Sequence, residues 1–434
     1  MKVLVCGSTG FVGRAVVAAL KARGHQVLGG SRTGPLRIDF MAPVSPEGWA
    51  ERLREMHVDA VVNCVGLLMA RGGQSFERVH AEGPIELFRG AALAGVARVV
   101  QVSALGADAG GSPYLRSKGE ADELLLSLPL AGTVLRPSLL YGPGCPSTAL
   151  FATLAALPVV SLPGGGAMTL QPLHVYELAE IVARCVERAE PATGVFELGG
   201  AAALSYREML ATYRGTQNLG DALWLPLPMA AMWATAWLAE ALPQQVFCRE
   251  TVALLARGNV PAHNAAASLL GRTPTALAAG LAISPPAPWL SLRAELSPAL
   301  EWMLRIALAA MWLWTAAVSA ALPQASGVLA LLARCGFEGD AGLVALVASC
   351  MLNTALGLAV LLRPGPRVHA LQAAAIVGYT LTAAFHMPEL TLDHCGPLVK
   401  NLPVLAAVLL LWLATPARPM PRAAARPSRG VARA

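Results

Sequence analysis

The first residues in this 434-residue chain that could do chemistry are glycines. Gly7-Ser8-Thr9-Gly10-Phe11-Val12-Gly13 spaces three of them as GxxGxxG, directly after the β-branched run Val3–Cys6 and directly before the helical pattern Phe11–Lys21. A glycine motif alone is weak, but strand, turn and helix in this order form the context in which such a loop holds a dinucleotide. Gly7 permits the tight turn, Gly10 lets a pyrophosphate approach the backbone, and Gly13 lets the helix pack on the strand. The helix N-terminus supplies amide donors and the positive end of a dipole, and Ser8, Thr9, Phe11 and Val12 complete the cradle.

The end of the second strand decides which dinucleotide fits. An acid there would bond the ribose hydroxyls of NAD, whereas an arginine can hold the 2′-phosphate of NADP. The chain has Gly30-Ser31-Arg32 and no acid, and Arg14 just past the third glycine adds a second cation. NADP is therefore the expected cofactor, with NAD as the alternative.

The elements that must position these residues follow from periodicity. Val3–Cys6, Gln26–Leu28, Leu36–Asp39, Ala60–Cys64, Val99–Ser103 and Thr133–Leu135 read as strands. Phe11–Lys21, Ser75–Ala94 and Tyr114–Leu126 read as the helices between them. Such alternation predicts an α/β Rossmann fold over residues 1–215, a parallel sheet with helices on both faces. Residues 216–296 form the region on the substrate side and a linker. Within it Ala222–Leu242 is apolar but broken by Pro226 and Pro228. The prolines favour a helix lying on a membrane or packed on the core over a further span. Pro285, Pro286 and Pro288 mark the linker.

From residue 297 to 415 the pattern changes to four apolar stretches: Leu300–Leu322, Gly342–Leu362, His369–Phe385 and Leu398–Ala414. A span takes about 17–25 residues, so the expectation is an all-α four-helix transmembrane bundle. Arg363 and Arg367 lie in one loop, and Arg418, Arg422, Arg426, Arg429 and Arg433 in a basic, disordered tail over 416–434. The alternate loops carry Arg334, Glu338 and Asp340, and Glu389 and Asp393. Positive residues stay inside, so both termini are expected in the cytoplasm, with the chain multi-pass in the inner membrane.

Composition agrees with a chain partly in lipid: 55% of residues are hydrophobic and 14% charged, against about 25% charged in soluble domains. The net charge of +6 is modest and no aromatic residue is interleaved with the tail arginines, so nucleic acid is not an expected partner. The eight cysteines contain no CxxC pair and read as reduced thiols without a metal site. The first apolar run meets the glycine loop and no cleavage site, so no signal peptide is expected. Arg305, Asn353, His386 and Lys400 lie in or beside the apolar stretches, where ionisable groups are functional candidates by default. Arg305 and Lys400 read as snorkelling to opposite faces. A metal or proton site from His386, His394, Glu389 and Asp393 competes with the plainer reading of an interfacial polar cluster.

The N-terminal three-fifths resembles the extended or atypical short-chain dehydrogenase/reductases, and most of all the group that holds the accessory Rossmann subunit of respiratory complex I. The resemblance rests on the glycine loop, Asp39-Phe40, Val62-Asn63-Cys64-Val65-Gly66, Val102-Ser103-Ala104-Leu105-Gly106-Ala107 and Tyr114-Leu115-Arg116-Ser117-Lys118. It also rests on Leu135-Arg136-Pro137-Ser138 through Tyr141-Gly142-Pro143-Gly144, Gln171-Pro172-Leu173-His174-Val175 and Phe196-Glu197-Leu198-Gly199-Gly200. It implies that Asp39 meets the adenine, that Asn63, Val65 and Gly66 belong to the cofactor groove, and that Pro137 and Ser138 lie near the nicotinamide.

The same resemblance makes Tyr114 and Lys118 the family's YxxxK pair. Four residues apart, they share a helix face. The lysine is expected to lower the tyrosine pKa from about 10, letting Tyr114 exchange a proton with a substrate oxygen while Lys118 also bonds the nicotinamide ribose. Ser103 is the candidate third catalytic member, although the position two residues on is Leu105, which cannot donate. Residues 297–415 are similar to DoxX-like membrane domains through Gly396-Pro397-Leu398-Val399-Lys400-Asn401-Leu402-Pro403.

The expected function is an NADP-dependent oxidoreductase at a membrane surface, reducing a carbonyl of a lipophilic small molecule, with membrane lipid as a partner. The alternative is a cofactor-stabilised accessory or assembly factor for a respiratory or quinone/lipid-synthesis complex, with a membrane protein as its partner.

Overall fold

The computed structural model describes residues 1–70, 73–107, 112–240, 248–286, 298–325, 327–389 and 398–414. The tail arginines, Pro288, Asp393, His394, Cys395, Gly396 and Pro397 lie outside the described residues. The chain divides into two compact units. One takes Met1–Ala155, Ser161–Gln217 and Trp224–Leu290, and the other takes Ala156–Val160, Asn218–Leu223 and Ser291–Ala434.

The first unit is built on a seven-stranded parallel sheet. Its strands are β1 (Lys2–Cys6), β2 (Gln26–Ser31), β3 (Leu36–Arg37), β4 (Ala60–Asn63), β5 (Arg98–Val102), β6 (Ala131–Pro137) and the strand Gly194–Leu198. Their order is Gly194–Leu198, β6, β5, β4, β1, β2, β3. β1 pairs with β2 on one side and β4 on the other, with Val3 opposite both Val27 and Ala60. The direction of winding reverses there, and the crevice beyond the C-terminal end of β1 is where an open α/β sheet binds its ligand.

Side-chain alternation along each strand feeds two cores. Val3, Val5, Val62, Val100, Val102 and Leu135 face helices α1 (Phe11–Ala22) and α6 (Val175–Glu187), meeting Val16, Leu20, Leu178 and Val182. Leu4, Cys6, Val61, Val99 and Val134 face α2 (Pro46–Glu55), α3 (Gly83–Ala94) and α4 (Pro113–Ser127), meeting Trp49, Leu53, Leu87, Phe88 and Leu125. Local signals start these helices. Ser45 caps α2 by accepting from Gly48 N with Pro46 in the first turn, and Ser112 caps α4 by accepting from Leu115 N with Pro113 in the first turn.

Two expectations change. The stretch Ser75–Ala94 is not one regular helix: Glu77–Glu82 is wound as a π-helix before α3 begins. The apolar run Ala222–Leu242 is also not one element. Pro226 is accommodated inside a strand, Leu223–Leu227, and Pro228 separates that strand from an 11-residue helix, α8 (Met229–Ala239), which follows α5 (Pro146–Ala156), α6 and α7 (Tyr206–Thr216) in chain order. Residues 248–286 pack on the sheet unit, and Ala266, Leu269 and Leu270 enter the same core as Val3.

The second unit is helical. Ala299–Ala321, Gly339–Leu362 and Pro366–His386 are each long and apolar enough to cross a membrane. The fourth expected span is helical only over Asn401–Ala414, 14 residues, about 21 Å at 1.5 Å per residue and short of a ~30 Å hydrocarbon layer. It still shares the core of the other three: Leu308, Trp312, Leu356, Val360, Ile376, Val408 and Leu411 cluster together. Arg334 pairs with Glu389, which brings those two loops to one end of this unit.

The polar residues of this unit behave as structure. Arg305 does not reach outward. Its Nε donates to Val360 O at 3.0 Å and Nη2 to Leu361 O at 2.5 Å, and its guanidinium lies 4.1 Å from the Trp302 ring centroid. It thus satisfies carbonyls that the end of helix Gly339–Leu362 leaves open. Asn353 accepts from the Tyr379 hydroxyl at 3.3 Å, and Asn401 donates to Thr380 at 2.8 Å. His386 and Lys400 are exposed. Among the described residues no three His, Cys, Asp or Glu side chains are arranged to hold a metal, and the described cysteines are free thiols.

Arg305→Ala removes both charged donors from buried carbonyls, so the detergent-solubilised chain should lose roughly 2 kcal/mol or more of stability. Arg305→Lys, which keeps the charge without the fork, should fall between. Unchanged melting of the helical unit in both variants would refute the capping role.

Candidate functional site

The glycine turn lies at the C-terminal end of β1, at the reversal point of the sheet. Gly7 adopts φ +78°, and its N–H and that of Ser8 donate to Gly30 O at 2.9 and 3.1 Å. This anchors the turn to β2. A Cβ on Gly13 would stand 2.1 Å from the Gly7 carbonyl oxygen, and one on Gly7 would stand 3.1 Å from the Cys64 backbone. Gly10 caps α1 without any side-chain hydrogen bond, and no acid lies in the first turn. The first amides of α1, at Phe11, Val12 and Gly13, therefore remain available for an anion. Arg14 reaches back over the turn, its Nη1 donating to Thr9 O at 2.7 Å.

At the end of β2, Ser31 is buried with its hydroxyl unpartnered, and Arg32 is exposed. β3 places Arg37 beside Ser31 in register, adding an exposed cation that the sequence reading did not single out. Asp39 spends Oδ1 on Met41 N, at 3.1 Å.

The far wall is the strap after β4. Asn63 is fully buried. Its amide donates to Gln101 Oε1 at 2.8 Å, and its oxygen accepts from Val65 N at 3.1 Å. Asn63 is thus a positioning residue that sets the backbone of Val65 and Gly66. A Cβ on Gly66 would lie 3.5 Å from Lys118 Nζ and 3.7 Å from His80 Nε2, so Gly66 forms the roof over the lysine.

Tyr114 and Lys118 sit on α4 as their spacing predicts, both buried, with Lys118 only 4% exposed. Lys118 Nζ lies 5.9 Å from the Tyr114 ring centroid and 3.4 Å from Val102 O. Burial lowers the Lys118 pKa to about 8, against the opposing pull of Asp122 and Cys64. The expected depression of the Tyr114 pKa does not occur here. Burial and the nearby Glu250 carboxylate push the phenol upward instead, so Tyr114 holds its proton through the neutral range.

His80 joins this cluster, and the sequence reading missed it. Its ring stacks on Phe76 at 5.6 Å and meets Tyr114 edge-on at 5.3 Å. Nε2 accepts from Leu67 N at 3.0 Å and Nδ1 faces Ser117 Oγ at 3.3 Å, which assigns the ring proton to Nδ1. Burial and Lys118 lower its pKa to about 2, so it stays neutral and positions Tyr114. Its signal was hidden because it lies in the π-turn, where 3.6-residue spacing does not place side chains. Glu250 was missed as well. It comes from residues 248–286, beyond any motif, and its Oε1 is buried without a partner.

Ser103 does not take the place expected of it. Its hydroxyl donates to Asp122 Oδ2 at 2.7 Å, the same oxygen that receives Arg136 Nε at 3.0 Å. The one proton it could offer a substrate is committed to a buried acid. Asp122 itself is held above the usual carboxylate range by burial, against the pull of Ser103, Arg136 and Lys118. Pro137 is buried at the end of β6, and Ser138 donates to Gln171 O. Beyond β5, a cleft of about 390 Å³ is lined in part by Leu105, Gly106, Leu115, Arg257 and Asn259.

Comparison with known families and proteins agrees with this geometry. Residues 3–199 match the NAD dependent epimerase/dehydratase family, and residues 309–409 match the DoxX-like family. The chain is 28% identical over 308 residues to 3-diazoavenalumate denitrifying reductase of a Streptomyces species, covering 63% of this chain and all of that protein. It is 28% identical over 224 residues to NADH dehydrogenase (ubiquinone) 1 alpha subcomplex subunit 9 of Arabidopsis thaliana, covering 47% of this chain and 55% of that one. Over 209 residues it is 30% identical to ceramide reductase of Caulobacter vibrioides, covering 45% and 63%. Of the last two proteins the chain therefore spans little more than half. Among solved structures, MoeE5 in complex with UDP-glucose and NAD superposes with a TM-score of 0.50 at 21% identity, over 65% of this chain and 97% of that one. Human epimerase family protein SDR39U1 with NADPH gives 0.50 at 21%, over 67% and 100%. At such identity these two structures speak for the fold alone. Residues 3–199 are thus a Rossmann-type NAD(P)-binding domain of the epimerase and short-chain dehydrogenase/reductase kind, and residues 309–409 are a DoxX-like domain.

Proposed function

We propose that this chain is a membrane-anchored reductase that uses NADPH to reduce a carbonyl on a lipophilic small molecule. The observation that carries the reading is the buried Tyr114–Lys118 pair, set beside a glycine turn that leads into the open first amides of α1. The turn and the first amides of α1 would hold the pyrophosphate, Arg32 with Arg14 and Arg37 the 2′-phosphate, and Gly66 and Lys118 the nicotinamide ribose. When bound, the dinucleotide supplies a hydride. Tyr114 donates its phenolic proton to the substrate oxygen, and the raised pKa keeps that proton in place until it is needed. The ammonium of Lys118 then stabilises the tyrosinate left behind. A quinone is a poorer substrate, because the nicotinamide delivers a hydride and no flavin motif is evident in the sequence. Reductases among the relatives favour a reduction, and the one named for ceramide favours a lipid-like substrate.

A second reading has its own support. Ser103 is withdrawn from the cleft, and one relative is named as a subunit of NADH dehydrogenase. In that reading the bound dinucleotide stabilises an accessory or assembly factor, and a membrane protein is its partner.

Tyr114→Phe and Lys118→Ala separate the two. In cells lacking the protein, reduction should fall about 100-fold or more with either variant, while a Gly13→Val variant loses dinucleotide binding as well. Full restoration of the phenotype by both site variants, with Gly13→Val inactive, would leave the accessory role standing and end the catalytic one.

NADPH should protect the chain against heat more than NADH does, with an affinity advantage of about tenfold or more from the arginine–phosphate bonds. Arg32→Ala should narrow the gap. Equal protection by the two dinucleotides would remove the case for the 2′-phosphate.

The charge pattern of the loops supports an orientation with both termini in the cytoplasm and the chain multi-pass in the inner membrane, with the bilayer thinning around the shorter helix Asn401–Ala414 as a fourth crossing. A reporter fused after residue 434 should be active on the cytoplasmic side. A periplasmic signal would overturn that orientation.

A further inference from the structure

Two short helices of the first unit are built from the same kind of residue and differ in where they lie. α5, PSTALFATLAA, carries no charge and buries Thr148, Ala149, Ala152 and Ala155. α8, MAAMWATAWLA, is also uncharged and more apolar, yet Ala236 is its one buried residue. Met229, Met232, Ala236 and Ala239 are the more covered side. Ala230, Trp233, Ala234, Trp237 and Leu238 are exposed, and at 100° per residue they fall in one arc of about 140°. Trp233 is 39%, Trp237 63% and Leu238 61% exposed.

Nothing polar interrupts that arc. The Thr235 hydroxyl lies at its edge and donates to Ala231 O and Met232 O, both at 3.0 Å. The one flanking acid, Glu240, is paired with Arg249 at 3.0 Å. A helix apolar all round belongs in a core or in lipid, and this one is not in the core. At 11 residues it is roughly 16 Å long, too short to cross a ~30 Å layer. Tryptophan, an apolar body with one N–H, is suited to the level of the headgroups.

The chain also brings a bilayer with it, since three helices of spanning length follow from Ala299 onward. We propose that α8 is a monotopic membrane anchor: it lies flat in the interfacial zone of that bilayer and inserts the face of Trp233, Trp237 and Leu238. The first unit thereby has a membrane attachment of its own. The anchor does not depend on the reductase reading.

The test uses the full chain reconstituted in phosphatidylcholine vesicles, with or without lipids brominated near the headgroup end of the acyl chain. Subtracting the fluorescence of the Trp233→Phe, Trp237→Phe double variant from that of the wild type isolates these two residues. Each single variant gives the same information should the double variant fold poorly. Vesicles count as reconstituted when the remaining signal, which includes Trp302, Trp312, Trp314 and Trp412 of the helical unit, is quenched by the brominated lipid. The expected result is loss of most of the difference signal in brominated vesicles and little loss to aqueous iodide. A difference signal quenched by iodide and not by bromine would place the face in water. One shielded from both would mean that a second copy or another protein covers it. Either result overturns the anchor.

Discussion

The first unit depends on how closely α1 lies against the turn before it. A single methyl group at Gly13 would stand 2.1 Å from the Gly7 carbonyl oxygen, a separation no packing adjustment nearby could accommodate. That approach fixes the first amides of α1 just beyond β1, where the winding of the sheet reverses. Gly7 makes the return to the helix through a positive φ that other residues rarely adopt. Because the turn is also bonded to Gly30 and packed on Cys64, β2 and β4 inherit their alignment at the crevice from it. The anion site, the arginines at the end of β2 and the strap over Lys118 are consequences of one close backbone contact.

Behind the crevice lies a layer of buried polar groups that must satisfy one another. Lys118, Asp122 and Arg136 are each nine-tenths or more removed from water, and leaving one of them unpaired would cost several kcal/mol. Asp122 resolves part of this by accepting from Ser103 and Arg136 at one oxygen. The arrangement explains why the serine is turned away from the cleft. It also explains why Lys118 keeps its place under Gly66, four residues from Asp122 on the same helix. Tyr114 is left in a hydrophobic setting of Phe76 and His80, which favours the neutral phenol.

The second unit obeys a different solvent. Large apolar side chains such as Trp314, Val344, Met351, Leu381 and Phe385 are exposed along the three helices of spanning length, a surface that suits lipid and would be costly in water. Arg305 turns inward to close open backbone carbonyls, and Asn353 accepts from Tyr379 between helices.

Local patterns were legible in the sequence because their causes are local. The strand, glycine turn and helix at residues 3–21, the alternation that makes a parallel sheet, and the apolar lengths of three spans all follow from side-chain period and backbone freedom. The spacing of Tyr114 and Lys118 put both on one helix face for the same reason. Tertiary structure decided the rest. His80 and Glu250 reach Tyr114 from a π-turn and from a segment more than a hundred residues away, and neither is marked by spacing. The direction of the Tyr114 pKa depends on how deeply its ring is buried, and the use of Ser103 depends on Asp122 being in reach. No residue type states these things, because burial and partnership are properties of where the chain returns to itself.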